Sequence, residues 1–220
     1  MVRKKEIIPA ILTNNLNDFK NKLKQVKNLT DWLQVDIMDG KFVNNTSIKL
    51  TDLEKIKIPF NLEIHLMVFN PEKYFQNCQK LKAKRVIFHF EAVKNPSKIL
   101  KEMEKYSFEK GIAINPDTEV EKIKPYLKNF DLVLLLGVKP GFQGQKFNPI
   151  VLKKIKQLKP PHQKFGVGAK KIKIGVDGGV KLSNIGKIAQ AGADNLVVGS
   201  YLLQSKNINL TFKRLKNKIR

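Results

Sequence analysis

Runs of apolar residues of strand length recur along the 220-residue chain, and amphipathic segments separate them. The runs are rich in aliphatic and β-branched residues, which is typical of parallel strands buried on both faces. Eight runs are predicted as strands, at 7–12, 32–36, 62–66, 85–90, 111–114, 131–136, 172–177 and 195–198. Amphipathic segments predicted as helices include 16–26, 71–81, 97–103 and 119–127.

These elements alternate, and most strand starts follow one another at roughly 25 residues, the length of a compact β–α unit. Eight such units predict an α/β fold, a (β/α)8 TIM barrel that occupies residues 1–220 as a single domain. The connection before the seventh strand contains the polar segment 159–171, which is interpreted as lying on the surface. An open doubly wound sheet is the alternative, but the turn after the first strand lacks the glycines of a dinucleotide-binding loop.

Composition narrows the class of protein further. A hydrophobic fraction of 42% in 220 residues is enough for one substantial core. The single cysteine, Cys78, excludes an intrachain disulfide and favours a reducing, cytoplasmic location. No apolar run approaches the roughly 20 residues of a membrane span, and Pro9 interrupts the apolar segment that follows the basic start.

The formal net charge of +23 raises the question of nucleic-acid binding. The lysines are spread along the whole chain, and arginine, the usual reader of phosphate and guanine, occurs only four times. This distribution favours a solvated basic surface over a nucleic-acid-binding function. The sequence leaves open whether the chain forms a homo-oligomer.

Polar side chains lie where several predicted strands end. Asp36, His65 and Asp177 are expected to meet, because the carboxyl ends of barrel strands form one face. Two carboxylates and an imidazole there could bind a divalent metal, transfer protons or do both. Helix capping is the alternative for each carboxylate, and it is the interpretation adopted for Asp39. Asp36 and Asp177 are interpreted as functional, because an unpaired charge after a buried strand is costly.

The three histidines differ in what the sequence says of them. His65 stays open between a buried core residue and a ligand, because it lies on an apolar strand at the level of the two aspartates. His89 has similar geometry with fewer polar neighbours and is interpreted as structural. His162 lies in the polar segment 159–171 and receives no role.

Glycine-containing turns follow the last three predicted strands. They are the loop 140–145 (PGFQGQ), Gly178-Gly179 and Gly199-Ser200, the last of which is expected to open the final helix. Glycine lets backbone N–H groups approach an anion, and the loops after strands seven and eight commonly bind phosphate in this fold. Three such turns on adjacent strands predict a sugar-phosphate site.

Several motifs, taken together and in order, carry a resemblance to a known family. They are VDIMDGKFVNN, LEIHLMVFNP, FHFEA, GIAINPDT, GVKPGFQGQKF and IGVDGGV followed by AGADNLVVGS. Between residues 8 and 203 the chain resembles ribulose-phosphate 3-epimerases. The resemblance implies a (β/α)8 barrel that inverts carbon 3 of D-ribulose 5-phosphate to give D-xylulose 5-phosphate. It also implies one divalent metal ion as cofactor, either iron, manganese, zinc or cobalt.

The resemblance implies roles for individual residues as well. Asp36 and Asp177 would be the catalytic acid and base and also metal ligands, and His65 would bind both metal and substrate. The other residues expected to line the site or contact the substrate are Met38, Met67, Gly141, Phe142, Gln143, Gly144, Gly178, Gly179, Gly199 and Ser200.

Several positions depart from the family pattern. Gln34 stands where the family has a metal-binding histidine, and its neutral amide is expected to bind zinc less tightly than imidazole. Ala10 replaces a serine that contacts substrate, and Gln143 replaces a glycine of the phosphate loop. The remaining departures are Lys41, Asn44 and Leu136.

Two functions from different classes therefore remain open. One is a metal-dependent epimerase, acting on this pentulose phosphate or on a related ketose phosphate. The other is a barrel that binds a sugar phosphate with little or no turnover. Retention of both aspartates favours the first, whereas Gln34 and Ala10 favour the second.

Overall fold

The computed structural model of the protein describes residues 4–158 and 172–219, and its central feature is a closed barrel. Eight parallel strands pair in sequence order, and the first pairs with the eighth. They are β1 (Glu6–Ile11), β2 (Trp32–Met38), β3 (Asn61–Met67), β4 (Arg85–His89), β5 (Glu109–Ile114), β6 (Leu132–Leu136), β7 (Lys173–Asp177) and β8 (Asn195–Val198). The predicted TIM barrel and its eight strands are confirmed.

Helices connect the strands around the outside of the barrel. The α-helices are α1 (Leu16–Val26), α2 (Leu50–Leu53), α3 (Phe75–Lys80), α4 (Pro96–Met103), α5 (Ile150–Leu158), α6 (Ile185–Ala191), α7 (Ser200–Leu203) and α8 (Ile208–Lys218). Asparagine side chains cap the starts of α1, α4 and α8, because Asn15 accepts from the N–H of Asn17, Asn95 from that of Lys98 and Asn207 from that of Leu210.

One predicted helix is wrong. The segment 119–127 forms parts of two 3₁₀ helices, Val120–Lys122 and Lys124–Asn129, in place of an amphipathic α-helix. Pro125 lies in this segment, and proline removes an amide donor and disfavours helical backbone in the residue before it. The predicted helix 71–81 also begins with a 3₁₀ turn, Pro71–Tyr74, before α3.

Two apolar layers lie on either side of the strands, one outside the barrel and one inside it. Side chains that point outward, such as Ile64, Val86 and Val133, pack with the helices into the main core. Side chains that point into the barrel, such as Ile87 and Leu134, form a separate inner cluster. Because the strands bury both faces, their sequences are continuous apolar runs with little alternation.

A charged group fills the N-terminal end of the barrel interior. The guanidinium of Arg85 contacts the carboxylates of Glu63 at 2.5 Å and Glu109 at 2.6 Å. It also lies 4.4 Å from the centre of the Trp32 ring. Since this group closes the end where the strands start, a ligand has access to the end where they finish.

Two further expectations from the sequence concern membrane spans and the polar segment 159–171. Within the ranges 4–158 and 172–219, no helix is long and apolar enough to cross a membrane. The expected surface segment 159–171, with His162, lies outside the described residues.

Candidate active site

Three of the residues singled out in the sequence meet at the C-terminal end of the barrel. Asp36 on β2 and His65 on β3 are partners in the strand register, and Asp177 ends β7. One potential ligand atom from each residue lies within 4.8 Å of the other two. Nδ1 of His65 is 3.1 Å from Oδ1 of Asp36 and 3.5 Å from Oδ2 of Asp177. The fold therefore unites two carboxylates from distant parts of the sequence around one imidazole.

Gln34 joins the two carboxylates from below. It lies two residues before Asp36 on β2, so both side chains point to the same side of the strand. Its Nε2 donates to Oδ1 of Asp36 and to Oδ2 of Asp177, at 2.8 Å each. The residue is fully buried, and among the described residues its Oε1 has no hydrogen-bond partner.

Burial and mutual contacts set the charge of this cluster. Burial raises the pKa of Asp36, and the nearby charge of Asp177 acts in the same direction, against the contact with His65. Burial by itself would lower the pKa of His65, but its contacts with Asp177 and Asp36 raise that pKa to about 9. The cluster therefore retains protons at neutral pH, as a site for proton transfer requires.

A second set of buried polar contacts lies behind His65. Its Nε2 is 2.9 Å from Nε2 of His89, and Nδ1 of His89 is 3.3 Å from Oε2 of Glu91. Burial lowers the pKa of His89. Although burial opposes its charge, Glu91 has a lowered pKa because of its contacts with His89, Thr118 and Asn115. The interpretation of His89 as structural missed these polar neighbours; its place on the strand next to His65 was the available signal.

A cleft opens above the cluster, beside the loops that follow β6, β7 and β8. Of the residues expected to bind metal or substrate, all except the deeper Gln34 line it: Asp36, Met38, His65, Met67, Gly141, Phe142, Gln143, Gly144, Asp177, Gly178, Gly179, Gly199 and Ser200. Ala10 and Leu136 line the cleft as well. Lys41 and Asn44 are exposed and lie outside it.

Backbone geometry shapes the glycine-rich side of the cleft. Gly179 has a φ of +70°, and a Cβ there would come within 2.9 Å of backbone atoms of Phe147. Gly144 has a φ of +79°, and a Cβ there would meet nothing within 4 Å. Nδ2 of Asn45 donates to the carbonyl of Gly141 at 2.7 Å, so the loop after β2 holds the loop after β6 across the cleft.

Lys139 is a feature of the cleft that sequence reasoning left without a role. Among the described residues that line the cleft, it is the single lysine or arginine. Its side chain is exposed, and its carbonyl accepts from Nε2 of Gln145 at 2.7 Å. A cation at a strand end beside glycine turns was the signal that could have indicated its place in the cleft.

Two local interpretations are wrong. Asp39 does not cap a helix, since its carboxylate accepts from backbone N–H groups in the loops after β2 and β3. The Gly199-Ser200 turn opens the one-turn helix α7, and the final helix is α8. In both cases the sequence indicated a contact with nearby backbone groups. The conformation of the surrounding loops decided which loop or helix contains those groups.

The donor set of the cluster fits a divalent metal ion. Two carboxylates and one imidazole suit zinc, iron, manganese or cobalt. Oε1 of Gln34, buried and without a partner among the described residues, is a further oxygen donor. A half-turn of the amide would exchange this oxygen with the Nε2 that lies between Asp36 and Asp177.

Known proteins align with this chain over most of their length and most of its own. A family model, described as the ribulose-phosphate 3 epimerase family, matches residues 6–203. A ribulose-phosphate 3-epimerase of Helicobacter pylori is 34% identical over 216 residues, covering 96% of this chain and 97% of its own. The protein of that name from Mycobacterium bovis is 34% identical and covers 88% of this chain and 84% of its own. That from Chlamydia muridarum is 32% identical, with coverages of 95% and 92%.

Solved structures of other proteins share the fold. Tryptophan synthase of Mycobacterium tuberculosis superposes with a TM-score of 0.71 at 15% identity, covering 99% of this chain and 93% of that one. A 3-hexulose-6-phosphate synthase of Salmonella typhimurium superposes with a TM-score of 0.70 at 13% identity, with coverages of 97% and 98%. At these identities the likeness concerns the barrel alone.

Proposed function

The chain belongs to the ribulose-phosphate 3-epimerase family, and from that premise we propose that it interconverts D-ribulose 5-phosphate and D-xylulose 5-phosphate. The observation that carries the proposal is the meeting of Asp36 and Asp177, with His65, beneath a cleft bordered by glycine turns. Two carboxylates at one site suit a reaction that removes a proton from one face of a carbon and returns one to the other.

Each carboxylate acts on one face of carbon 3. One of the pair, Asp36 or Asp177, takes the proton from carbon 3, and the electrons of the broken C–H bond move into the adjacent carbonyl to form an enediolate. The other carboxylate then gives a proton to the opposite face, and the carbonyl is restored. After turnover the proton resides on the opposite member of the pair, and the reverse reaction returns it.

The polar contacts of the cluster support this exchange. Burial raises the pKa of Asp36, which favours its holding the proton that one step must donate. The amide of Gln34 contacts both carboxylates at 2.8 Å and so fixes their separation. A fixed separation matters because proton transfer requires each carboxylate to lie within hydrogen-bond reach of carbon 3.

The same residues would hold the divalent metal ion that the family resemblance implies. Asp36, His65 and Asp177 would be its principal ligands. Gln34 would add Oε1 only after the half-turn of its amide that takes Nε2 away from the two carboxylates. When bound, the ion supplies positive charge that stabilises the negative charge developing on the substrate oxygens.

The phosphate of the substrate binds on the glycine-rich side of the cleft in this proposal. The N–H groups of Gly144, Gly179 and Ser200 are its donors, and Lys139 adds positive charge at the rim. Phe142 and Gln143 line the same loop, and Met38 and Met67 form an apolar wall near the reacting carbon. This arrangement leaves carbon 3 next to the carboxylates when the phosphate occupies the turns.

A second candidate is a barrel that binds the sugar phosphate with little or no turnover. The observation in its favour is the donor set itself, in which the neutral amide of Gln34 stands beside one imidazole. A weaker metal site stabilises an enediolate less, while leaving the glycine turns intact.

The test is a coupled assay that follows D-xylulose 5-phosphate formed from D-ribulose 5-phosphate, with metal-stripped protein and after addition of Mn²⁺, Fe²⁺, Zn²⁺ or Co²⁺. We expect metal-dependent turnover that Asp36→Asn or Asp177→Asn reduces by about 10²-fold or more. Asp39→Asn is the matched control, since it alters a carboxylate three residues after Asp36 that lies outside the cluster.

The same reaction run in deuterium oxide distinguishes the roles of the two carboxylates, because it reports exchange of the carbon 3 proton with solvent. A variant that retains one carboxylate should exchange the carbon 3 proton of one epimer with solvent without inverting it. Saturable binding of D-ribulose 5-phosphate with neither exchange nor inversion would support the binding-protein candidate instead. Turnover of a six-carbon ketose phosphate but not of the pentulose would correct the substrate while keeping the chemistry.

A further inference from the structure

A buried chain of hydrogen-bonding groups runs from the metal-ligating cluster to the outside of the barrel. His65, His89 and Glu91 form it in that order, through the 2.9 Å contact between the Nε2 atoms and the 3.3 Å contact from Nδ1 of His89 to Oε2 of Glu91. Both histidines are fully buried, and their ring planes differ by 23° with centroids 5.0 Å apart. His89 and Glu91 lie outside the set of groups assigned to metal or substrate.

Glu91 is held so that only one of its oxygens faces His89. Its Oε1 accepts from the backbone N–H of Asn115 at 2.8 Å and from the hydroxyl of Thr118. Nζ of Lys154 in turn donates to the carbonyls of Asn115 and Thr118, at 2.7 Å and 2.6 Å. Oε2 therefore remains for the imidazole of His89.

The chemistry of these groups dictates where each proton lies. An ionised carboxylate only accepts, so Nδ1 of His89 carries the proton that Glu91 accepts. A neutral His89 then has its lone pair on Nε2, and Nε2 of His65 must carry the proton between the two rings. In the metal-free protein the carboxylates of Asp36 and Asp177 hold a proton on Nδ1 of His65 as well. Because Nε2 of His65 donates to His89, Nδ1 is the nitrogen that gives up its proton and offers a lone pair when a metal ion binds.

We propose that Glu91, acting through His89, sets the tautomer of His65 so that Nδ1 presents its lone pair to a metal ion between Asp36 and Asp177. Glu91 and His89 are positioning residues in this scheme, because neither touches the substrate or the reacting carbon. The inference rests on the proposed metal site and adds a two-histidine relay that orients one of its ligands. Groups that fix the tautomer of a metal-binding histidine typically change metal affinity by about 10- to 100-fold.

Glu91→Gln is designed to reverse the relay. The amide oxygen is retained by the N–H of Asn115 and the hydroxyl of Thr118, so the amide NH₂ faces Nδ1 of His89. Donation from that NH₂ moves the His89 proton to Nε2, which then donates to His65. Nε2 of His65 then accepts, so the proton on Nδ1 is the last one on the ring, and a metal ion cannot replace it without reversing the relay.

The first readout is the tautomer of His89 in metal-free protein, from long-range ¹H–¹⁵N spectra of labelled imidazoles. We expect Nδ1–H in the wild type and Nε2–H in Glu91→Gln. The second readout is the dissociation constant for Mn²⁺ by calorimetry, which should rise by about 10- to 100-fold in Glu91→Gln. Asp117→Asn is the matched control, because it removes an exposed carboxylate near the relay and should leave both readouts unchanged.

His89→Phe provides a second variant, since it keeps a ring of similar size and removes both nitrogens; it should weaken Mn²⁺ binding as well. An unchanged His89 tautomer in Glu91→Gln, or an unchanged Mn²⁺ affinity after a reversed tautomer, would overturn the relay. If wild-type protein binds no Mn²⁺, Zn²⁺ or Fe²⁺ at millimolar concentration, the metal site of the proposed function fails. The spectrum of His89 still decides, in that event, whether Glu91 controls the proton positions.

Discussion

Nε2 of Gln34 lies 2.8 Å from Oδ2 of Asp177, a residue 143 positions further along the chain. The same nitrogen lies 2.8 Å from Oδ1 of Asp36, so one amide bridges both carboxylates. Two buried carboxylates repel each other when both are ionised, and a shared N–H donor offsets part of that repulsion. The residue that departs most clearly from the family pattern therefore also holds together the two carboxylates of the proposed mechanism.

Gln34→His is expected to raise both metal content and turnover. Imidazole is a stronger donor than a neutral amide, so the site would gain a second nitrogen ligand beside His65. We expect wild-type protein to purify largely metal-free and to respond to millimolar Mn²⁺ or Fe²⁺. Elemental analysis of purified protein, together with the coupled assay, measures the change.

Gln34→Met is the control for that substitution, because it fills similar space and offers no amide. It should lower stability by leaving the carboxylates without their shared donor, and it should not gain metal. A full equivalent of zinc and fast turnover in the wild type would show that the amide does not limit the site.

Lys139→Gln is expected to raise KM by about two- to fivefold with little change in kcat. An exposed cation near a phosphate contributes about 0.5–1 kcal/mol, and it assists binding more than chemistry. The difference from wild type should shrink at high ionic strength, because salt screens exposed charges. Lys146→Gln is the matched control, since Lys146 is an exposed lysine of the same loop that does not line the cleft.

Gly179→Ala and Gly144→Ala are expected to differ although both glycines have positive φ. A Cβ at Gly179 would meet backbone atoms of Phe147 at 2.9 Å, so the turn must shift and its N–H must move away from the anion. Gly144→Ala carries only the conformational cost, about 1–2 kcal/mol. Thermal melting with and without inorganic phosphate should show loss of phosphate stabilisation in Gly179→Ala alone; equal responses would place the anion elsewhere.

Arg85→Met is expected to lower the free energy of unfolding by about 3–5 kcal/mol, because it leaves the buried carboxylate of Glu63 without its partner. The double variant Arg85→Met with Glu63→Leu should recover much of this loss, since no uncompensated buried charge remains. Denaturant unfolding of the two single variants and the double variant measures the coupling. Additive effects would mean that the pair contributes no specific stability.

Cys78 provides a prediction for alkaline pH. Burial raises the pKa of its thiol well above the ordinary value, so the folded protein keeps the proton that the unfolded chain releases above about pH 9. The stabilisation is complete below pH 9 and is lost as pH rises further. Between pH 9 and pH 10 the wild type should lose about 1 kcal/mol more stability than Cys78→Ala. Parallel declines in denaturant unfolding would contradict this.

Much of the architecture could be predicted without coordinates. Strands such as β6 and β8 are buried on both faces, and that environment demands continuous aliphatic runs which are visible in the sequence. The C-terminal ends of such strands meet on one face of a barrel, so Asp36 and Asp177 could be placed together from their positions alone. The helix at 119–127 was predicted from its apolar spacing, and the constraint that Pro125 imposes on the backbone prevailed over that spacing.

The contacts between side chains were decided only by the tertiary structure. The sequence shows that His89 and Gln34 end or lie within buried strands, but not which groups they meet. Pairing of β2, β3 and β4 brings Asp36, His65 and His89 to the same end of the barrel, and the closure of the barrel brings Asp177 to Gln34. Strand register and barrel closure depend on the packing of the whole chain, because a one-residue slip would turn each side chain to the opposite face. The sequence therefore determined the fold and the end of the barrel where Asp36 and Asp177 lie, and the assembled barrel determined which polar groups each of these side chains contacts.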